Sequence, residues 1–464
     1  MTPAGPTATS RTAGAPGRSG GGHSARSAPV AAEVVLVAAW TAIGLGAAFD
    51  EGRYSMDAVA LVTAGTALLL FAAARRSVPS GSWGTVAAVT AGVAVLGGFH
   101  TDAGIYGSGA ALLVSRVLTS VAAAVVALWL VVGLPGRAIV AYAAIATMTA
   151  SGVAMIIASP SPAIDVWTML QAAGHGLSHG RDIYTLKWTT GIRFEQSNGF
   201  AYLPGAAVLL WPFHALFGDV RYGLLAAMAL TAVLLVRVRP RSSTSLLGAL
   251  VLLLPKAIFG LEQSWVDPLV LLGVCAAAFA VARGRRGWAV VAFAGCLVCK
   301  QQAWLLLPLA LLWKDFGWRR ALVSAGAAVA FIAPWVIAAP HAFVSGAITY
   351  NLGLPARLDS LSLYTSALSL GWNPGLAILA VSTVGAGALA AWRLPRDTYG
   401  FLLGSALVMA VFNLTNKQSF YNEWALAAGL VLAAIVFGHA SAPDAPVTWP
   451  ECPEQTRGPR QGRR

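Results

Sequence analysis

The chain has 464 residues, of which 57% are hydrophobic and only 11% charged, and its mean hydropathy is +0.70. A soluble domain carries about 25% charged residues, so a single large soluble domain is excluded and an all-α, polytopic membrane protein is expected. The net charge of +13 does not point to nucleic acid, because the basic residues stand in short clusters between apolar runs and in the two tails, as the positive-inside rule requires.

Residues 1–32 are Gly, Ser, Ala, Pro and Arg with almost no large apolar side chains, which predicts a disordered basic tail without the apolar core of a cleavable signal peptide. Arg11, Arg18 and Arg26 place it in the cytoplasm. Apolar runs follow at 33–49, 57–74, 84–99, 108–133 and 136–158. Residues 33–135 are read as an N-terminal group of transmembrane helices and 136–439 as the transmembrane core. Alternation from an inner start puts Asp50 and Glu51 outside, Arg75 and Arg76 inside, His100 to Asp102 outside, and Arg137 inside.

The segment 159–222 then falls outside. It is the longest mainly polar interval and holds Asp165, Asp182, Glu195, Asp219, His175, His179, His214, Arg181, Lys187 and Arg193. Unpaired polar groups cost several kcal/mol each in hydrocarbon, so such a segment belongs outside it. This outer loop is expected to carry the chemistry.

Beyond it, 221–236 runs to the inner Arg237, Arg239 and Arg241, 245–259 goes out, and 265–282 returns to Arg283, Arg285 and Arg286. The runs 288–299 and 303–313 are short, which predicts a broken or tilted hairpin around Lys300, Gln301 and Gln302 before Lys314, Arg319 and Arg320. The run 321–339, an outer segment at 340–373, and runs at 374–392, 399–413 and 424–438 complete the set. Residues 440–464 form a disordered cytoplasmic tail. The total is about 14 transmembrane helices with both termini cytoplasmic. No internal repeat is visible, which weakens a secondary-transporter reading.

Lys187, Lys256, Lys300 and Lys417 sit at outer positions, against the positive-inside rule, and most acids share that side. Longer outer loops that need solvation explain this blandly. The sharper explanation is that cations and acids converge on an anionic substrate at the outer face. Three polar breaks fit it: Glu262 and Gln263 within 259–265, Lys300 to Gln302, and 413–423 with Lys417, Gln418 and Asn422. Lysine offers a compact charge for phosphate, and the amides offer paired donors and acceptors for hydroxyls. Cys275, Cys296 and Cys299 are expected to be packing cysteines, since Cys296-x-x-Cys299 lacks partner ligands. His175 and His179 stand at i and i+4, as a metal pair, substrate contacts or solvated interfacial residues.

With these residues in place, the chain resembles the C-type membrane glycosyltransferases (GT-C), particularly actinobacterial mannosyltransferases that use polyprenyl-phosphate mannose. The resemblance rests on Asp165-Val-Trp followed by Gly180-Arg-Asp-Ile-Tyr184, Tyr202-Leu-Pro204 and Phe217-Gly-Asp-Val-Arg221. It continues through Gly260-Leu-Glu-Gln263, Cys299-Lys-Gln-Gln302 and Lys417-Gln-Ser-Phe-Tyr-Asn422. It covers about residues 140–438 and departs from the family pattern in its extra N-terminal helices and in lacking an Asp-Asp or Asp-x-Asp pair.

The resemblance implies a hexosyltransferase of the cell envelope, with its active site on the outer face of the cell membrane. The sugar, mannose by resemblance alone, would pass from a polyprenyl-phosphate donor to a lipid or glycan acceptor. Asp165 would be the general base, with Asp50 as competitor and a helix cap as the bland alternative. Asp182, Tyr184, Tyr202, Glu262, Gln263, Lys300, Gln301, Lys417, Gln418 and Asn422 would bind substrate, with orientation of Asp165 as the other role for Asp182 and Tyr184 and a loop cap as the bland alternative for Asp182, and Lys300, Lys417 or an outer Arg would stabilise the leaving phosphate. Trp167, Trp188 and Tyr202 are candidates to stack on sugar or to sit in an interfacial aromatic belt. The chemistry calls for no metal or other cofactor, and the partners would be the two substrates and membrane lipids. The alternative of a different class is a transporter or flippase for a polar or lipid-linked solute.

Overall fold

A computed structural model describes residues 32–78, 85–97, 104–134, 136–188, 199–240 and 244–441. Arg193, Glu195, His100, Asp102 and most of both tails lie outside these residues. A backbone in lipid must satisfy its own hydrogen bonds. The described residues accordingly form helices and no strand, with one isolated bridge between Arg53 and Ser360.

The first helices are α1 (Ala32–Ala48), α2 (Met56–Arg75), α3 (Thr85–Gly97), α4 (Gly109–Val132) and α5 (Arg137–Ala158). Then come α6 (Asp165–Ser178), α7 (Pro204–Phe217), α8 (Arg221–Val238), the short α9 (Ser245–Ala249) and α10 (Ala257–Glu262), α11 (Asp267–Ala282) and α12 (Arg286–Leu297). A 3-10 turn, Gln301–Leu306, leads into α13 (Leu307–Leu312), followed by α14 (Trp318–Ala338). Short helices α15 (Pro340–Phe343), α16 (Tyr350–Gly353) and α17 (Leu363–Ser369) precede α18 (Gly375–Arg393), α19 (Thr398–Thr415) and α20 (Tyr421–Ser441).

Among the described residues, nine helices are long and apolar enough to cross a membrane: α1, α2, α4, α5, α8, α14, α18, α19 and α20. The protein is a multi-pass membrane protein. The interior belongs to α19 and α20, each 89% buried over its most apolar stretch, while α14 and α18 are only 17% buried and face outward. Their outward side chains, such as Val381 and Val384, are apolar, as contact with lipid tails demands.

Helices in lipid gain no hydrophobic driving force from association and rely on close packing and interhelical hydrogen bonds. Both occur here. Gly65 on α2 lies so close to α1 that an added Cβ would stand 2.6 Å from Ile43 Cγ1. Between α4 and α5, Ser151 meets the hydroxyls of Ser115 at 2.9 Å and Thr119 at 2.8 Å. Cys275, Cys296 and Cys299 are free and buried.

Two sequence expectations need correction. The run 245–259 is not one spanning helix. It breaks into α9, turns and α10, with Lys256 in the left-handed region at φ 62. Pro255 causes much of this, since it supplies no N–H and disfavours helical geometry before it. The interval 159–222 is not a plain polar loop either. Its apolar stretch forms α7, which pairs antiparallel with α6: Gln171 Nε2 donates to the Gly218 carbonyl at 2.8 Å and Trp211 Nε1 to Ser178 Oγ at 3.0 Å.

Candidate functional site

Seven connecting segments meet around one cavity of about 900 Å³. They are the turn after α1, the segment before α4, the stretch around α6 and α7, the α10–α11 turn, the α12–α13 turn, the 350–359 region and the α19–α20 turn. These are the segments that alternation assigns to one side. The clusters Arg75–Arg76, Arg237–Arg239, Arg283–Arg286 and Arg319–Arg320 lie in the opposite set of loops.

Asp165 occupies the first turn of α6 and lines the cavity. Its Oδ1 accepts the Val166 N–H at 2.8 Å, and Ile164, not Asp165, is the cap residue. Burial raises its pKa above the ordinary carboxylate value, against the opposing pull of the Val166 N–H and the Arg357 charge. The same partial burial raises the phenols of the neighbouring Tyr106 and Tyr350, so these stay neutral donors.

The other cavity acids are paired. Glu51 lies 3.9 Å from Lys256, Arg357 holds Asp359 through two bonds of 2.8 and 2.6 Å, and Glu423 lies 3.6 Å from Lys300. Among the described residues, Asp165 is the one cavity-lining acid without a cationic partner. Asp359 is partly buried, which pushes its pKa up, but the Arg357 bonds and charge overcome this and hold it below the ordinary value.

Lys300 defines the cavity floor. Its Nζ donates to both oxygens of Asp267 at 2.9 Å, and Asn422 Nδ2 donates to Asp267 Oδ2 at 2.8 Å. Taking charges out of water is tolerable only with this degree of satisfaction. An apolar slot of about 60 Å³ shares Trp265 and Asn422 with the cavity and runs between α8, α11 and α20.

Of the expected substrate residues, Tyr202, Gln263, Lys300, Gln418 and Asn422 line the cavity, while Asp182, Tyr184, Glu262, Gln301 and Lys417 do not. Asp182 Oδ1 accepts the Tyr184 N–H at 2.8 Å in a local turn. Tyr184 is buried among Phe200, Trp335 and Phe343 and donates its hydroxyl to the Tyr202 carbonyl at 2.9 Å. Glu262 is fully buried and accepts the N–H groups of Ile105 at 2.6 Å and Tyr106 at 2.9 Å. Gln301 ties the Ala201 and Ala347 carbonyls together, and Lys417 Nζ donates to the Leu352 carbonyl at 2.7 Å. Tyr184, Glu262, Gln301 and Lys417 thus each hold a cavity segment in place, whereas Asp182 shapes its own turn.

Asp50 does not line the cavity, but its neighbour Glu51 does. Trp188 lines it as well, whereas Trp167 donates instead to Asp219 Oδ2 at 3.3 Å. The rings of His175 and His179 stand 4.3 Å apart, with no third ligand-type side chain grouped with them among the described residues.

Sequence reasoning passed over Arg53, Tyr106, Tyr350, Asn351 and Arg357, all of which line the cavity. Arg53 and Arg357 carried a usable signal. Both are cations in segments assigned to the outer side, the same exception to the positive-inside rule that drew attention to the lysines.

Comparison with protein-family models, with curated proteins and with solved structures finds no match to this chain.

Proposed function

We propose that this protein is an integral membrane glycosyltransferase of the GT-C kind, with about 14 passes and both termini cytoplasmic. It moves a sugar, with mannose the first candidate, from a polyprenyl-phosphate donor to a lipid or glycan acceptor at the outer face. The observation that carries this reading is the unpaired Asp165 carboxylate, held at a raised pKa in a large polar cavity. A carboxylate so placed is a better proton acceptor than one in water.

The wall composition supports a carbohydrate ligand. Tyr106, Trp188, Tyr202, Trp265 and Tyr350 present aromatic surface beside the amides of Gln263, Gln302, Asn351 and Gln418, a set suited to stacking on a sugar ring and bonding its hydroxyls. The buried Oε1 of Gln302 has no protein partner among the described residues, which leaves an acceptor for a substrate hydroxyl.

In the proposed reaction the acceptor hydroxyl attacks the anomeric carbon while Asp165 takes its proton. The bond from that carbon to the phosphate oxygen breaks, and polyprenyl phosphate leaves with inversion at the sugar. Positive charge on the sugar and negative charge on the phosphate grow together, so cations near the phosphate accelerate the step. Transport is the weaker reading, because the cavity lies at the helix ends and a transporter site is expected near the bilayer midplane.

Transfer of labelled mannose from polyprenyl-phosphate mannose in isolated membranes tests the proposal. Asp165→Asn at matched protein level should lose about 10²–10⁴ in rate. A fully active Asp165→Asn variant removes Asp165 from the mechanism, and a wild type silent with every lipid-linked sugar removes the transferase.

A further inference from the structure

We infer that Arg53 and Arg357, flanking Asp359 on one wall of the cavity, form an oxyanion site that takes the phosphate of the lipid-linked substrate. This deepens the transferase proposal and rests on it for the identity of the phosphate's carrier.

The cavity's charges are unevenly spread. On the floor, Lys300 is matched by the carboxylates of Asp267 and Glu423, so no positive charge is left over there. At the edge, Lys256 and Glu51 balance. On the wall, Arg53 and Arg357 stand against the single carboxylate of Asp359, so an excess positive charge remains. An anion entering the cavity is drawn to this wall rather than to the floor.

The donors are also available. Arg357 spends Nε and Nη2 on Asp359 and lies 4.7 Å over the Phe420 ring, leaving Nη1 unspent. The Arg53 side chain makes no hydrogen bond or ion pair with any described residue. Guanidinium groups match phosphate oxygens through parallel N–H donors, which a lysine ammonium does not do.

The backbone holds the two arginines together. Arg53 pairs with Ser360 across the isolated bridge, and the Tyr54 N–H donates to the Asp359 carbonyl at 2.9 Å. The turn before Arg53 is tightly constrained. Asp50 and Glu51 have φ of 46 and 60, and Gly52 has φ +76 with no room for a Cβ, which would stand 2.6 Å from Tyr421 Cβ. Non-glycine residues in this conformation are costly, and such strain concentrates at functional turns. The consequence is that the turn between α1 and α2, far ahead of the transmembrane core in sequence, supplies a substrate-binding residue.

The test is equilibrium binding to the purified full chain in detergent, with farnesyl monophosphate, uncharged farnesol and inorganic phosphate as separate probes. Arg53→Gln should weaken farnesyl monophosphate by about 10–100-fold and leave farnesol unchanged, with Arg53→Lys recovering part of the loss. Displacement of farnesyl monophosphate by inorganic phosphate, sensitive to Arg53→Gln, makes the bare oxyanion the ligand. Failure to displace makes it the lipid phosphate headgroup, and both keep the site. Wild-type affinity of Arg53→Gln for farnesyl monophosphate overturns the inference, as does an equal loss of farnesol. Arginine-dependent phosphate binding without sugar transfer from any donor overturns the transferase alone. Sugar transfer by a protein whose phosphate binding ignores Arg53 overturns this inference alone.

Discussion

Glu262 looks in sequence like a substrate ligand, and the structure gives it another task. Both carboxylate oxygens accept backbone N–H groups, from Ile105 at 2.6 Å and Tyr106 at 2.9 Å, in a fully buried position. Hydrogen bonds to a charged group contribute about 1.5–3 kcal/mol each, and a neutral one about 1. Glu262→Gln keeps one acceptor and turns an NH₂ donor toward the second N–H. One charge-assisted bond is lost, the other weakens to a neutral one, and a buried donor is left unpaired. The loss comes to roughly 2–4 kcal/mol. The segment 104–107 is then released, and with it Tyr106 on the cavity wall. Hydrogen exchange at the Ile105 and Tyr106 amides reads this directly. At about 1.4 kcal/mol per factor of ten, exchange accelerates roughly 30- to 1,000-fold, and unfolding in detergent falls to milder conditions. A substrate ligand would behave differently, raising KM while leaving amide protection and stability alone. That second outcome would refute the structural role.

Asp165→Asn should be more stable than wild type near neutral pH while losing transfer. Because the native pKa is raised, the native state binds more protons than the unfolded state above pH 3.8. Wild-type stability therefore falls as pH rises from there through the native pKa, and the variant, lacking that loss, gains on it over the same window. Thermal unfolding of both proteins across pH checks this. The transfer rate of wild type should fall on the acid side with a midpoint above 3.8, as a pH–rate profile will show. Lys300→Met strands Asp267 and Glu423 without their cation and should cost about 3–5 kcal/mol; Lys300→Met with Asp267→Asn should recover part of it in an unfolding titration. Gly52→Ala places a side chain in the left-handed region against Tyr421, which should cost at least ~1–2 kcal/mol and lower transfer by displacing Arg53.

Hydropathy and charge placement carried the membrane class, because lipid forces every spanning segment to be helical and apolar and forces basic loops to one side. The same constraint made Asp165, Gln263, Lys300, Gln418 and Asn422 legible, since polar residues at the ends of apolar runs have few bland uses. Which of them face a common space was not legible. Glu262 and Gln263 are sequence neighbours, yet one closes on the backbone of 105–106 and the other lines the cavity. Lys300 and Arg53 are both outer cations, yet Lys300 is neutralised by residues 267 and 423 while Arg53 is left open. Such differences depend on which distant segment packs opposite a side chain. Residue types and spacing determined that polar chemistry gathers on one side of this protein; only the packing of segments hundreds of residues apart decided which charges are cancelled and which remain for a ligand.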